Sequence, residues 1–152
     1  MNLDGNENFT LPFYCNDRLN GRFWFWPNAK YGVMWCTDPY VKVWLIQNGR
    51  RIEKKKTPVL KRTLDPQFNE TMTFNVSVDQ MRYTSLQVHV MDYDRIGRNE
   101  EIGRVVLGPK TRPSEVKHWN EMLSKAKLAA TRWHVLRDCN WFELTVEAFT
   151  TT

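Results

Sequence analysis

The 152-residue sequence predicts an all-β fold, an antiparallel β-sandwich with one inserted helix, on three observations. Several short segments alternate apolar and polar residues with a period of two. Turn-forming dipeptides separate them at short intervals. One stretch carries the 3.6-residue period of a helix instead. The length suits a single hydrophobic core with extra arms.

YVKVWLI (40–46) is the first clear strand, with Val41, Val43 and Leu45 on one face. Asn48-Gly49 turns the chain into RRIEKKK, where extended backbone puts Lys54 and Lys56 on one face and Lys55 on the other. TMTFNV (71–76) aligns Met72, Phe74 and Val76, and SLQVHVMD (85–92) aligns Leu86, Val88 and Val90. IGRVVLG (102–108) follows, with Asp65-Pro66, Gly97 and Gly108-Pro109 as the intervening breaks. SEVKHWNEMLSKAK (114–127) reads as the helix, with Ser114 as N-cap and Val116, Trp119, Met122 and Leu123 on its apolar stripe. WHVL (133–136) returns to an extended segment. The tail DCNWFELTVEAF (138–149) sets Phe142, Leu144, Val146 and Ala148 against Trp141, Glu143, Thr145 and Glu147, the pattern of a further strand. The first 36 residues are different: four consecutive aromatics at 23–26 favour a buried strand, and the pattern assigns them no role.

Hydrophobic residues make up 41% and charged residues 26%, a globular balance and not a disordered one. No apolar run has the length of a membrane span and the N-terminus lacks the features of a signal peptide, so the chain is expected to stay in the cytosol. Cys15, Cys36 and Cys139 lack metal-ligand spacing and read as free thiols; the sequons at Asn8, Asn69 and Asn75 read as chance in that compartment. The net charge of +5 is concentrated: RRIEKKKTPVLKR (50–62) carries +6, which leaves −1 for all other residues.

Against that balance, VMDYDRIGRNEEIG (90–103) gathers carboxylates at the end of a strand. Catalysis accounts for them poorly, because no paired nucleophile and base and no phosphate-binding glycine loop accompany them, and His89, His118 and His134 read as separate structural residues. The chain is therefore read as a binding protein and not an enzyme. A hard cation suits clustered oxygen donors better. An EF-hand fails, since a loop starting at Asp92 would place Ile96 and Gly103 at ligand positions. Asp38, opening the Pro-braced turn DPYVKV, supplies a second acidic loop for the same end of a sandwich. The plain alternative is a solvated loop whose charge is met by Arg95 and Arg98.

The run from DPYVKVWLIQNGRRIEKKKTPVLKRTLDPQFNET through VMDYDRIGRNEEIG to HWNEML and WHVL resembles the second, C-terminal C2 domain of a synaptotagmin, with several separate motifs in the right order. The resemblance implies a C2-type Greek-key sandwich with the helix inserted before the last family strand. It divides the chain into residues 1–36, an atypical aromatic-rich segment; 37–136, a partial C2 domain; and 137–152, a C-terminal extension. The first two family strands are missing or replaced. Two candidates fill their places: a hairpin of residues 9–15 with 22–26, or the tail entering the first strand's place, as in a circularly permuted topology.

The resemblance also implies a Ca2+ site between two loops at one tip, with Asp38, Asp92, Asp94 and Glu100 as ligands. The other first-loop acid is expected where Gly32 stands, so a weakened, low-affinity site is implied, with Ile96 as the residue that enters the bilayer. Arg50, Arg51, Lys54, Lys55 and Lys56 are the implied surface for anionic phospholipids, including phosphoinositides, and for SNARE proteins; Glu53 interrupts it. WHVL matches a docking motif, through Trp133, His134 and Leu136, and a clathrin adaptor is a further implied partner. Lys127 and Leu128 stand where the family has a pair of arginines. The implied setting is vesicle trafficking and regulated exocytosis, in the cytoplasm and peripheral on membranes or synaptic and secretory vesicles. Nucleic acid is not expected, because the basic strip has no interleaved aromatics. Two alternatives stay open: a calcium-independent domain that holds SNARE or adaptor proteins, and a merely solvated edge strand protected by its lysines.

Overall fold

Val41, Val43 and Leu45 are buried while Lys42, Trp44 and Ile46 between them are half-exposed, so the period-two pattern becomes a strand with one face in the core. The computed structural model describes residues 6–15, 38–62, 66, 68, 70–124, 130–137 and 139–151. Its strands are β1 (Asn6–Cys15), β2 (Pro39–Gln47), β3 (Arg50–Lys56), β4 (Glu70–Ser77), β5 (Thr84–Asp92), β6 (Glu100–Leu107), β7 (Ala130–Leu136) and β8 (Cys139–Thr151), with one helix, α1 (Pro113–Ser124), between β6 and β7. A short 3-10 helix, Val78–Tyr83, joins β4 to β5. Gly32, Cys36, Asp65, Asn69, the aromatic run 23–26, Lys127 and Leu128 lie outside the described residues.

Two four-stranded antiparallel sheets result, in the orders β4-β1-β8-β7 and β3-β2-β5-β6. The second lies within residues 39–107: a hairpin joins β2 to β3, and β2 pairs with β5 from Pro39↔Asp92 to Gln47↔Thr84. Asn48 (φ 51°) and Gly49 (φ 74°) are both in the left-handed region, the requirement of a type I′ turn, and this sets the β2–β3 hairpin. The first sheet is closed by the chain's two end segments. β8 pairs with β7 on one side (Ala130↔Ala148, Trp133↔Thr145) and with β1 on the other (Thr10↔Phe149, Phe13↔Val146). β1 also pairs with β4 (Phe9↔Phe74).

Of the two candidate fillers, the segments 9–15 and the tail are both strands of this sheet. Residues 9–15 are a strand, but its two edges are taken by β4 and β8, and residues 22–26 lie outside the described residues. The tail forms β8, between β1 and β7.

Between the sheets, Met72, Phe74 and Val76 of β4 meet Val41, Val43, Leu86, Val88, Val90 and Val105. Each fully buried large apolar side chain here contributes roughly 1.5–3 kcal/mol. Helix α1 covers one end of this core with Trp119 and Met122.

The helix start differs from the sequence expectation. Ser114 is not the cap; the helix begins at Pro113, whose fixed φ suits a first helical position. Glu115, three residues after Arg112, folds back and accepts the Arg112 N–H at 3.1 Å. The buried face is Glu115, His118, Trp119 and Met122, while Val116 is half-buried. Glu115 is fully buried because it is fully paired: Arg112 reaches it at 2.9 Å and Arg137 at 2.6 Å. Burial pushes its carboxyl up, but Arg137, Arg112 and the backbone N–H groups outweigh that and hold it below the ordinary value. Among the described residues, no helix is long and apolar enough to cross a membrane.

Candidate functional site

Two loops meet at one end of the β3-β2-β5-β6 sheet because β2 begins where β5 ends. Pro39 pairs with Asp92, so Asp38 lies beside the loop that leaves β5. The Asp38 N–H donates to Asp92 Oδ1 at 2.9 Å, and the Tyr93 N–H returns to the Asp38 carbonyl at 2.9 Å. On the other side of β5, Asp92 pairs in register with Glu100. Asp94 turns back on its own loop, its Oδ1 accepting the Ile96 N–H at 2.9 Å. Gly97 permits this, since a Cβ there would lie 2.8 Å from Asp94 Oδ2. Asn99 then ties the loop to the sheet, accepting the Asp94 N–H and donating to Tyr40 Oη, each at 3.0 Å. Ile96, at the loop's apex, is 98% exposed.

The carboxylates of this tip act on one another. Burial raises the Asp92 pKa; the Asp38 N–H opposes the rise, and the carboxylates of Asp38, Glu100 and Asp94 add to it. Asp94 is the opposite case, held below the ordinary value by the N–H groups of Ile96 and Gly97. The donors are all hard oxygens, the type calcium takes. Asp38 Oδ1 already accepts the Arg62 N–H at 2.7 Å, and among the described residues no three acidic or imidazole side chains converge in a metal-holding arrangement. The residues thus suit a divalent cation in donor type and mutual repulsion, and their side chains do not converge on one point. Arg62, Tyr40 and Asn99 carry no signal of their own in the sequence as members of this tip, because their roles depend on contacts 24 to 59 residues away in the chain.

The basic strip has a different geometry. Antiparallel partners share a face, so the registers place Lys56, Lys42, His89 and Arg104 in one row across β3, β2, β5 and β6 on the outer side of the sheet. The next row holds Lys54 and Trp44. Arg51 and Lys54 lie 4.8 Å and 5.1 Å from the centre of the Trp44 ring, cation–π contacts that hold both cations over β2. Burial lowers the Lys42 pKa, with Lys54, Lys56 and Arg51 adding to the shift and Glu101 opposing it.

Lys55 is separated from this group. It lies over the Phe74 ring, donates to the Thr73 carbonyl of β4 and pairs with Glu53 at 3.4 Å. Arg50 is exposed at the β2–β3 hairpin. Lys42, Trp44, His89 and Arg104 are what the strip alone concealed. Their alternation within each strand was visible, but the row exists only through registers set by turns and bulges.

WHVL occupies β7 with the same alternation. Trp133 and Val135 are 37% and 42% exposed, while His134 and Leu136 are buried. His134 stacks on His118 of α1, with ring centres 5.0 Å apart. His118 Nε2 lies 2.6 Å from the Ala130 carbonyl and so carries a proton; its Nδ1 then accepts from His134 Nε2 at 2.8 Å. His134 Nδ1 is left buried without a partner among the described residues. Burial lowers the pKa of both rings, that of His134 to about 4, with the neighbouring His118 as a second cause. Trp133 and Val135 are the part of the motif that another molecule can reach.

Comparison with known proteins gives a consistent placement. The profile of the C2 domain matches residues 27–122. Human synaptotagmin-7 is 44% identical over 101 residues, 66% of this chain and 25% of that protein. The chain thus spans about a quarter of the length of the curated relatives it matches. Among solved structures, a C2 domain of plant extended synaptotagmin 1 superposes with a TM-score of 0.64 at 24% identity, covering 97% of this chain and 95% of that one. The calcium-bound pair of C2 domains of extended synaptotagmin 2 gives 0.65 at 15% identity, over 98% of this chain and 46% of that one. These two share the fold, and the agreement extends over the sheet that both chain ends complete. With the profile match, the two-sheet topology and the paired loops all in agreement, the chain belongs to the C2 domain family.

Proposed function

We propose that this chain is a non-catalytic, peripheral membrane-binding module of the synaptotagmin type, corresponding to a second C2 domain, that docks on anionic phospholipids with calcium linked to its acidic tip. The observation that carries this reading is the meeting of the two loops, with the Asp38 N–H on the Asp92 carboxylate at 2.9 Å and Ile96 exposed beyond them. Asp38, Asp92, Asp94 and Glu100 would hold the ion, and Gly32, where a fifth acid is expected, weakens the site. A bound divalent cation supplies +2 of charge, which offsets half of the −4 of these four carboxylates and lessens the tip's repulsion from a negatively charged bilayer. Arg51, Lys54, Lys56 and Lys42 supply a general attraction to negative surfaces, each base near an anionic membrane being worth roughly 1 kcal/mol. SNARE proteins and a clathrin adaptor are proposed partners of the same basic face and of Trp133 in WHVL. The setting is vesicle trafficking and regulated exocytosis.

A second reading has its own support. Asp38 and Asp94 each already accept a backbone N–H, which suits a tip that holds its shape without metal and a domain that binds protein partners independently of calcium. Sedimentation with phosphatidylserine vesicles, with and without calcium, separates the two. The first reading predicts a calcium-dependent increase in bound protein. No increase, together with retained binding to SNARE peptides, establishes the second.

A further inference from the structure

The two sheets of the sandwich carry opposite charge. The strands of the β3-β2-β5-β6 sheet hold seven bases and four acids, a net +3. Those of the β4-β1-β8-β7 sheet hold Glu7, Glu70, Glu143 and Glu147 against Arg132, a net −3. Arg132 pairs with Glu121 of α1 at 2.6 Å, and the bases beside the end of β7, Arg112 and Arg137, are both held by buried Glu115. On the outer side of this sheet Thr131, Trp133 and Val135 of β7 are exposed. Their register partners on β8 are Glu147, Thr145 and Glu143, and antiparallel partners share a face. Two glutamate positions roughly 13 Å apart along β8 thus flank the row of Trp133. Carbonyls on the free edge of β7 are already taken: Arg112 Nη2 donates to that of Val135 at 3.0 Å, and His118 Nε2 lies 2.6 Å from that of Ala130. A partner therefore meets the side-chain face and not the strand edge.

We propose that this face docks an extended, cationic segment of a partner protein, with two arginines four residues apart opposite Glu143 and Glu147 and their stems over Trp133. The proposal rests on the docking reading of Trp133 given above and names the chemistry of the partner. A sheet of net −3 selects a cation and repels anionic lipid and nucleic acid. Arginine suits it better than lysine, because the guanidinium fork matches a carboxylate and its plane stacks on an indole. The segment is extended because four residues of strand span the separation of the two glutamates, whereas four residues of helix cover only ~6 Å.

The test measures fluorescence anisotropy of a short labelled peptide with two arginines four residues apart, and of its lysine counterpart, against the full chain at low ionic strength without calcium. Glu143→Gln with Glu147→Gln is expected to weaken arginine-peptide binding roughly five- to tenfold, and Trp133→Ala roughly threefold. Asp79→Asn with Glu70→Gln removes the same charge elsewhere and is expected to cost less than about twofold. Equal losses for the two double variants overturn the face, and equal affinity for the lysine peptide overturns arginine as the recognised group. Thermal melts check that each variant is folded; should Trp133→Ala not fold, the glutamate pair decides alone. Sedimentation velocity of the chain without peptide covers the other occupant. A concentration-dependent oligomer that the Glu143 and Glu147 changes abolish assigns the face to the basic strip of a second copy and overturns the partner peptide. If Trp133→Ala also leaves the binding of SNARE and adaptor peptides unchanged, the docking reading of Trp133 itself fails; if it weakens them while the glutamates do not matter, only the cationic partner fails.

Discussion

The two sheets of the sandwich are assembled in opposite ways. The β3-β2-β5-β6 sheet comes from one stretch of chain, residues 39–107, which leaves it once to lay β4 in the other sheet, and it carries both the acidic tip and the basic row. The β4-β1-β8-β7 sheet joins the first strand to the last, pairing Thr10 with Phe149, and carries neither. These charged clusters thus sit on the sheet drawn from one stretch, while the other sheet, with the exposed Trp133 of β7, depends on a closure between distant segments, the kind of contact that forms late because its loop entropy must be met first.

Removing the closure is the strongest way to break that contrast. Deleting residues 138–152 removes β8, which leaves β7 without its partner strand and β1 paired with β4 alone. The thermal midpoint is expected to fall by more than about 10 °C, or the cooperative transition to disappear, because an open sheet edge and a split core face exceed a typical domain's margin of ~5–15 kcal/mol. An unchanged midpoint in a thermal melt would show that the end-to-end sheet is dispensable.

The next effect arises where α1 meets β7. His118 and His134 are held neutral, with folded pKa values below the ordinary 6.5 and that of His134 at about 4. The unfolded chain therefore binds more protons between those values, and stability falls as pH drops from about 6.5 through about 4, by an amount on the order of 3 kcal/mol for His134. Facing the pair are Glu115 with Arg112 and Arg137, and Glu121 with Arg132. Denaturant melts at pH 7 and pH 4.5 should differ less for His134→Gln than for the parent. An equal difference would remove the histidines as the cause.

A smaller effect sharpens the separation of the basic strip from the closure. Lys54→Ala with Lys56→Ala is expected to weaken binding to anionic vesicles by about 10- to 30-fold at low salt, with the midpoint within about 2 °C of the parent's. Co-sedimentation at two ionic strengths, alongside the melt, checks both halves. The smallest effect lies at the tip: Asp92→Asn should raise the midpoint by about 1–3 °C in the absence of calcium. Burial and the neighbouring acids disfavour the charged form of Asp92 in the fold, so a neutral residue that still accepts the Asp38 N–H relieves the repulsion. A lowered midpoint would contradict that electrostatic account.

The same contrast explains what could be read in the sequence. β2, β4 and β5 were legible because one face of each is buried, which writes a period of two into residues 40–46, 71–76 and 85–92. β8 was legible from its alternation alone, but its place between β1 and β7 was open, since nothing local specifies partners so far apart. The helix start was misplaced by reading Ser114 as a cap, when a buried Glu115 does that work from inside the first turn. At the site, the acids and Ile96 were visible as a motif. The row of Lys42, His89 and Arg104 was not, because it depends on inter-strand register, and neither was the His118–His134 pair, which joins a helix to a strand sixteen residues on.

The account stands most directly on calcium at the Asp38–Asp92 tip. Calorimetric titration of the parent chain and of Asp92→Asn with calcium is predicted to give a weak, saturable heat in the parent and none in the variant, with both proteins folded by thermal melt. Identical heats from the two, or no heat from the parent at millimolar calcium, the weak end of known protein calcium sites, would contradict it.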